Sequence, residues 1–337
     1  MLKVGIIGCG YWGPNYTRIL NDLTDVEIGW CCDLDKERLA KIKELYPYVK
    51  LSDNYKELVK NPEINAFIVT TPLNSHYEIV KLCLENGKHV LVEKPFTSTS
   101  KEAKELIKIM DKRNLILMVG HVYEFNPAVT KLKEVIKEGK LGDIYYVYAE
   151  RVGLGPIRKY ASALWDLATH DMSVATYILD EFPESVTAVG EYYIQKKVED
   201  MVSVSLRFPS RVIYKIIASW IAPEKIRRTT VVGSKGMAIF DDVNKAEPLK
   251  IYERSINKDL LDSTPEYSDH QLVVKMGDVY LPKVVHSESL KNQVEHFLKC
   301  ILENKKPLTD AIDGLSVVKM LEAAERSLKI NRTVKCR

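Results

Sequence analysis

No apolar run in this sequence approaches the roughly 18 residues that a membrane-spanning helix needs, so no membrane partner is expected. Neither sign of charge dominates. Lys and Arg total 49 against 46 Asp and Glu, a formal net charge of +3. Stretches such as KEAKELIKIMDK mix both signs in the manner of a solvated helix face, and no nucleic-acid partner is expected. The six cysteines, at 9, 31, 32, 83, 300 and 336, form no C-x-x-C pair and no Cys/His ligand spacing. That argues against a structural zinc and for free thiols in a reducing compartment, with Cys31 and Cys32 in the core. Internal repeats and low-complexity tracts are absent too. Met1 passes almost directly into a strand pattern, which leaves no room for a signal peptide, so a cytoplasmic protein is expected.

At 337 residues the chain is long enough for two domains, and 46% apolar with 28% charged residues is ordinary for a globular protein. Up to about residue 122, short apolar runs alternate with amphipathic segments. KVGIIG, VEIGWCCD, NAFIVTTP, HVLVEKP and LILMVG lack a polar face and read as buried parallel strands. Between them lie helix patterns, the last opening on Thr99 and Glu102 at capping-box spacing, and Gly87 sits where a C-terminal stop belongs. The alternation predicts a doubly wound α/β domain over 1–122. From 123 the rhythm changes. A helix (PAVTKLKEVIKEG) leads into DIYYVYAERVG, ESVTAVGEYYIQ, MVSVSLRFPS, RVIYKIIASWI, RTTVVGSKGMAIFDD and PLKIYERS, strands with few helices between them. Residues 123–337 are therefore expected to form an α+β domain with a large, mostly antiparallel open sheet, closed by two helices.

Gly8, Gly10 and Gly13 make G-x-G-x-x-G directly after an apolar strand and before a helix. In that position the glycines permit a tight turn, a close approach of pyrophosphate to backbone, and packing of helix on strand, with Tyr11 and Trp12 inside the loop. Asp33, twenty residues after Gly13, ends the next strand. A carboxylate there accepts from ribose hydroxyls and repels a 2′-phosphate, which favours NAD over NADP. The alternative is that Asp33 only starts the turn DLDK, and Asp35 can share either role. Thr70, Thr71, Pro72, Asn74 and His76 follow another strand's carboxyl end, where the ligand crevice lies. His76 can equally be a helix-start residue facing water.

Glu93 and Lys94 end the strand HVLV just before Pro95. Neighbours on a strand point to opposite sides, so each needs its own partner, unless both are simply exposed charges at a strand end.

The stretches GIIGCGYWG, TTPLNSHYEIVKLCLENGKHVLVEKP, GHVYEFNPAV, LWDLATHD and PLTDAIDGLSVVKMLEAAERSLK together resemble the glucose-fructose oxidoreductase, inositol dehydrogenase and rhizopine-catabolism family, Gfo/Idh/MocA. The resemblance spans essentially the whole chain. It implies a Rossmann domain and a second domain whose open sheet serves substrate binding and oligomerisation. It further implies that Lys94 lies beside the nicotinamide and hydrogen-bonds the reacting oxygen, that Glu93 sits near the nicotinamide ribose, and that Asp166 and His170 are the second-domain signature. On a helix, four residues put Asp166 and His170 one turn apart on one face. Oxidation of an alcohol by hydride transfer requires removal of the hydroxyl proton, which imidazole accepts near neutral pH. Lys94 would stabilise developing alkoxide charge and Asp166 would orient the imidazole or hold a substrate hydroxyl. Whether Lys94 or His170 is the base stays open. Outside the family context, His170 would read as an ordinary satisfied helix histidine.

The wording GPIRKYASALWDLATHDMS with APEKIRRTTVVGSKGMAIFDD resembles the branch that oxidises the 3-hydroxyl of UDP-N-acetylglucosamine or its uronic acid. Arg158 with Lys159, and Arg227 with Arg228, are candidate diphosphate clamps, or else surface charge or inter-subunit ion pairs. An inositol or free-sugar dehydrogenase is the alternative enzyme, and a non-catalytic NAD or ligand sensor the alternative of another class. An open sheet face predicts a homodimer or homotetramer.

Overall fold

Runs such as Ala66–Val69 and Val90–Val92 have no polar side chain to show to water, so they are stable only inside a sheet covered on both faces. In the computed structural model, which describes residues 1–155, 157, 161–256 and 274–336, that is where they lie. Strands β1 (Leu2–Ile7), β2 (Val26–Cys32), β3 (Lys50–Ser52), β4 (Ala66–Val69), β5 (His89–Glu93) and β6 (Leu117–Gly120) form one sheet in the order β3-β2-β1-β4-β5-β6. Every pairing in it is parallel.

Helices α1 (Gly13–Asn21), α2 (Lys36–Leu45), α3 (Tyr55–Leu58), α4 (Leu73–Glu85) and α5 (Ser100–Arg113) connect the strands. Local chemistry sets their ends. The Asp35 side chain caps α2 by accepting from Glu37 N and Arg38 N, Thr99 and Glu102 form a reciprocal capping box on α5, and Gly87 follows α4 at φ +73°. Strand order reverses between β1 and β4, and the loops at the carboxyl ends of those strands carry Gly8 and Thr70.

The second unit starts with α6 (Pro127–Lys137), capped by Asn126, and runs through β7 (Ile144–Val152), a π-helical turn (Leu164–Ala168) and α7 (Thr169–Leu179). Strands β8 (Ser185–Glu191), β9 (Met201–Arg207), β10 (Ile213–Ser219), β11 (Ile226–Gly233), β12 (Met237–Asp241) and β13 (Leu249–Tyr252) follow. A two-residue ladder joins β14 (Ser255–Ile256) to β15 (Val274–Lys275). With β16 (Val279–Tyr280) and β17 (Val334–Lys335) the large sheet has nine strands among the described residues, in the order β16-β13-β12-β11-β7-β10-β9-β8-β17. Among the described residues, only the β10–β7 pairing in it is parallel. Strict alternation makes one face apolar: Val147 and Ala149, Tyr214 and Ile216, Val202 and Val204 are all buried.

Helices α8 (Ser289–Glu303) and α9 (Ala311–Ile330) close the chain. The two units are not consecutive blocks. The first comprises residues 1–125 and 287–319, the second 126–286 and 320–337. The division expected at 122/123 assigned all of 287–319 to the second domain. The difference has a physical cause: α8 buries Leu290, Val294 and Phe297 in the core formed by Tyr16, Ile19 and Met118, and Thr309 Oγ1 donates to Val119 O at 2.7 Å.

Candidate active site

The glycine loop is shaped by contact. Gly8 has φ +102°, and a Cβ there would lie 2.8 Å from the Thr70 backbone; at Gly13 it would lie 2.2 Å from Gly8 O. Gly10 is open, its nearest neighbour being Arg38 Nη1 at 3.6 Å from the Cβ position. Thr70 Oγ1 donates to Gly8 O at 2.6 Å and so ties the β4 end to the loop. Trp12 is the N-cap of α1 and its side chain makes no cap; Pro14 has no N–H and Asn15 N donates to Trp12 O at 2.9 Å, so among the first three helical positions Gly13 alone keeps an N–H outside the helix's own bonding. Tyr11 is exposed and stands edge-on to Trp12.

Asp33 faces this loop. Its Oδ2 accepts from Cys9 N at 2.6 Å and its Oδ1 from Asp35 N at 2.8 Å, so it both opens the turn and lies beside the glycines. Arg38 Nη1 is 3.7 Å from Asp33 Oδ2. Asp35 is spent as a helix cap. An open Gly10 at the start of α1 and an adjacent carboxylate fit the pyrophosphate and ribose of a dinucleotide.

Along the strand ends of the same unit, Ser75 Oγ donates to Thr71 Oγ1 at 2.8 Å, Pro72 is the N-cap of α4, and Asn74 is exposed in its first turn. His76 does not face water, the alternative expected for it. It is 1% exposed, with Nδ1 2.9 Å from Pro95 O and Nε2 2.8 Å from Thr71 O. Burial holds its pKa below the usual value, and the neutral ring has one N–H to donate to one of these two carbonyls. Its task is to pin the Lys94–Pro95 segment, whose peptide bond is cis, to the start of α4.

Glu93 is the last residue of β5 and Lys94 follows it. Glu93 is buried: Tyr16 Oη donates to Oε1 at 2.7 Å and Lys94 N to Oε2 at 3.1 Å. Burial raises its pKa, and the Tyr16 hydrogen bond and the Lys94 charge only partly offset that. Gln293 Nε2 in turn donates to Tyr16 Oη at 2.9 Å. Lys94 is half-buried just past the strand end. Just past the next strand, β6, His121 lies 2.6 Å from Asp313 Oδ2 and 3.6 Å from Glu124 Oε1 through Nδ1. The shorter distance is that of a charge-assisted hydrogen bond. Neither chain of partners was anticipated, because no local pattern links residues so far apart in sequence.

In the second unit, Asp166 lies in the π-helical turn and His170 in the first turn of α7, both half-buried. An uninterrupted α-helix was expected; the wider turn still leaves the two residues about one turn apart. Arg227 and Arg228 are neighbours on β11 and point to opposite faces. Arg227 Nη1 is 3.5 Å from Asp242 and Arg228 Nη2 2.8 Å from Asp241 on the open face. They cannot clamp one diphosphate together. Arg158 and Lys159 lie outside the described residues.

A 3-2-1-4-5-6 parallel sheet, a glycine loop that leaves Gly10 open and a carboxylate at the end of β2 define an NAD-binding oxidoreductase. The chain belongs to the GFO/IDH/MocA family: the model described as "Oxidoreductase family, NAD-binding Rossmann fold" matches residues 2–121, and the GFO/IDH/MocA C-terminal domain matches residues 129–239. It is 26% identical to myo-inositol 2-dehydrogenase of Thermotoga maritima, over 99% of this chain and 98% of the relative. It is 24% identical to UDP-N-acetylglucosamine 3-dehydrogenase of Acidithiobacillus ferrooxidans, over 94% of each. Among solved structures, GenD2 from gentamicin A biosynthesis in complex with NAD superposes with a TM-score of 0.83 at 21% identity, covering 100% of this chain and 96% of that one. The protein is thus an NAD-dependent oxidoreductase of the type that acts on CH–OH groups.

Proposed function

We propose that the protein oxidises the 3-hydroxyl of a UDP-amino sugar, UDP-N-acetylglucosamine or its uronic acid, to the 3-keto sugar. The observation that carries the reading is the pair Asp166 and His170, about one turn apart at the start of α7, in a chain that also carries Lys94 at the carboxyl end of β5. When bound, NAD supplies the hydride acceptor. His170 or Lys94 takes the hydroxyl proton, the Lys94 cation steadies negative charge on the oxygen, and Asp166 orients the imidazole or a neighbouring hydroxyl. A silent sensor would have no use for all three residues. Glu93 is proposed to steady the nicotinamide ribose side, Gly8, Gly10, Tyr11, Trp12 and Gly13 the pyrophosphate, and Asp33 the adenosine ribose, which favours NAD over NADP.

The choice of sugar is supported by full-length similarity to the Acidithiobacillus enzyme. A second reading, inositol or free-sugar oxidation, is favoured by comparable similarity to the Thermotoga enzyme and by the engagement of Arg227 with Asp242. Absorbance at 340 nm, followed with NAD and UDP-N-acetylglucosamine, its uronic acid, UDP-glucose and myo-inositol, separates them. NADH formed only with a UDP-amino sugar supports the first reading, and signal with inositol alone overturns it. Lys94→Ala and His170→Ala are each expected to lower kcat by about 10²-fold or more while NAD affinity stays near wild type. Near-normal rates in both, at matched folding, would remove the catalytic assignment.

A further inference from the structure

Next to His170 in sequence stands an acid already committed to a partner. Asp171, in the first turn of α7, accepts from Arg151 of β7: Nε donates to Oδ2 at 2.7 Å and Nη2 to Oδ1 at 3.1 Å. Both side chains are buried, at 7% and 3% exposure. Arg151 shares the helix-covered face with Val147 and Ala149, and Arg227 lies directly across the β7–β11 ladder from it. Like charges opposite one another repel, so each guanidinium needs its own acid, and Arg227 has Asp242. The buried Tyr214 hydroxyl on β10 is pushed up in pKa by burial and then by the Asp171 charge.

As a source of stability this pair is a poor choice. Two charges removed from water lose most of what their attraction returns, and apolar residues of similar volume often serve as well or better. What two parallel hydrogen bonds supply, and hydrocarbon does not, is direction. A planar guanidinium fixes a carboxylate in both distance and angle. Because Asp171 is in the first turn of α7, that fork sets the rotation of the turn about the helix axis and its position along β7. His170 is the adjacent residue, so the angle at which its imidazole is presented is set by the same two bonds. The preceding π-helical turn, with its looser i to i+5 bonding, leaves this end of α7 in need of such an anchor.

We propose that Arg151 and Asp171 are positioning residues for His170, locking the first turn of α7 to β7 so that the imidazole is held at a fixed angle. The inference rests on the reading of His170 as a catalytic group.

The test uses the full-length protein with NAD and whichever of UDP-N-acetylglucosamine, its uronic acid or myo-inositol gives turnover. Arg151→Lys keeps the charge and loses the fork. It is expected to lower kcat at least about tenfold, with NAD affinity within about twofold of wild type. The double variant Arg151→Met, Asp171→Leu removes both charges. Its melting temperature is expected to return near wild type while kcat stays at least about tenfold down. A readout independent of turnover comes from ring-labelled histidine NMR. With seven histidines in the chain, the His170 Cε1–H signal is identified by its loss in His170→Gln, and it should shift in the double variant. Wild-type kcat and an unmoved His170 signal in that variant would show the pair to be structural only and overturn the proposal. If the double variant does not fold, the same two readouts in Arg151→Lys decide the matter. Should His170→Gln itself turn over normally, the catalytic reading of His170 fails, while the NMR shift still decides whether the pair orients it.

Discussion

The Tyr16 hydroxyl has one proton and gives it to Glu93 Oε1, which leaves its lone pairs for Gln293 Nε2. Three polar side chains in a core are thereby satisfied through one oxygen, except for Gln293 Oε1, which has no hydrogen-bond partner. Removing that oxygen in Tyr16→Phe takes one donor from Glu93 and strands the Gln293 amide, so the variant should lose about 1–3 kcal/mol. Its pH dependence follows from the sign of the Glu93 shift. A carboxyl whose folded pKa is raised costs least below its unfolded pKa and most once pH has passed the folded pKa. Loss of the Tyr16 donor raises it further, so the deficit of Tyr16→Phe should be larger at pH 7.5 than at pH 4.5. Thermal unfolding at the two pH values checks this, and Glu93→Gln in the same background should abolish the difference. An equal deficit at both would mean that Glu93 is not ionised in the folded protein.

One of the connections between elements of the first unit is electrostatic: His121, just past β6, meets Asp313 in the first turn of α9 and Glu124 in the short 3₁₀ turn Val122–Phe125. Burial opposes the imidazolium, but the two carboxylates outweigh it and raise the pKa to about 9. A histidine raised in the folded state contributes stability that is full below its unfolded pKa, near 6.5, and is lost as pH rises through about 9. His121→Gln removes the cation facing buried Glu124 and partly buried Asp313 and should cost roughly 3 kcal/mol at pH 6.5, and measurably less at pH 9.5, when wild type and variant are followed by thermal unfolding. A gap independent of pH would place the proton elsewhere. These elements also mark what sequence reading can reach. Strand runs without a polar face, the Thr99–Glu102 box and the Gly87 stop act within a few residues, and each was legible. The three-residue edge strand β3 has too little pattern to announce itself, and the π turn at 164–168 differs from an α-helix by one residue of register. His76 has the composition of a helix start, and only folding brings Pro95 O to its ring. Tyr16, Glu93 and Gln293 meet across separations of 77 and 277 residues, and His121 and Asp313 across 192; no periodicity carries such information. The return of α8 to the first unit is the same effect at the level of a helix.

On the scale of the molecule, the nine-stranded sheet poses a solubility problem. Its helix-covered face is apolar, as alternation demands, but the other face carries Tyr146, Tyr148, Ile213 and Val189, all more than a third exposed. The register sets Ile213 beside Tyr146 and Lys215 beside Tyr148 on that face, with Glu150 one row further along β7. Arg228 is opposite Glu150 on the adjoining strand and also bonds Asp241. Such a surface is unfavourable in water if left bare. Aromatic side chains mixed with both signs of charge are a composition suited to an isologous two-fold interface. The expected occupant is therefore a second copy of this chain, giving a dimer, or a tetramer if a second interface is used. Sedimentation velocity at micromolar concentration should show a species of at least twice the 38.5 kDa chain mass. Tyr148→Glu combined with Ile213→Glu, placed on neighbouring strands in the middle of the patch, should return it to one chain with an unchanged circular dichroism spectrum, since neither side chain is in the core. A wild-type monomer, or a double variant that stays associated, would show that the open face does not carry the assembly.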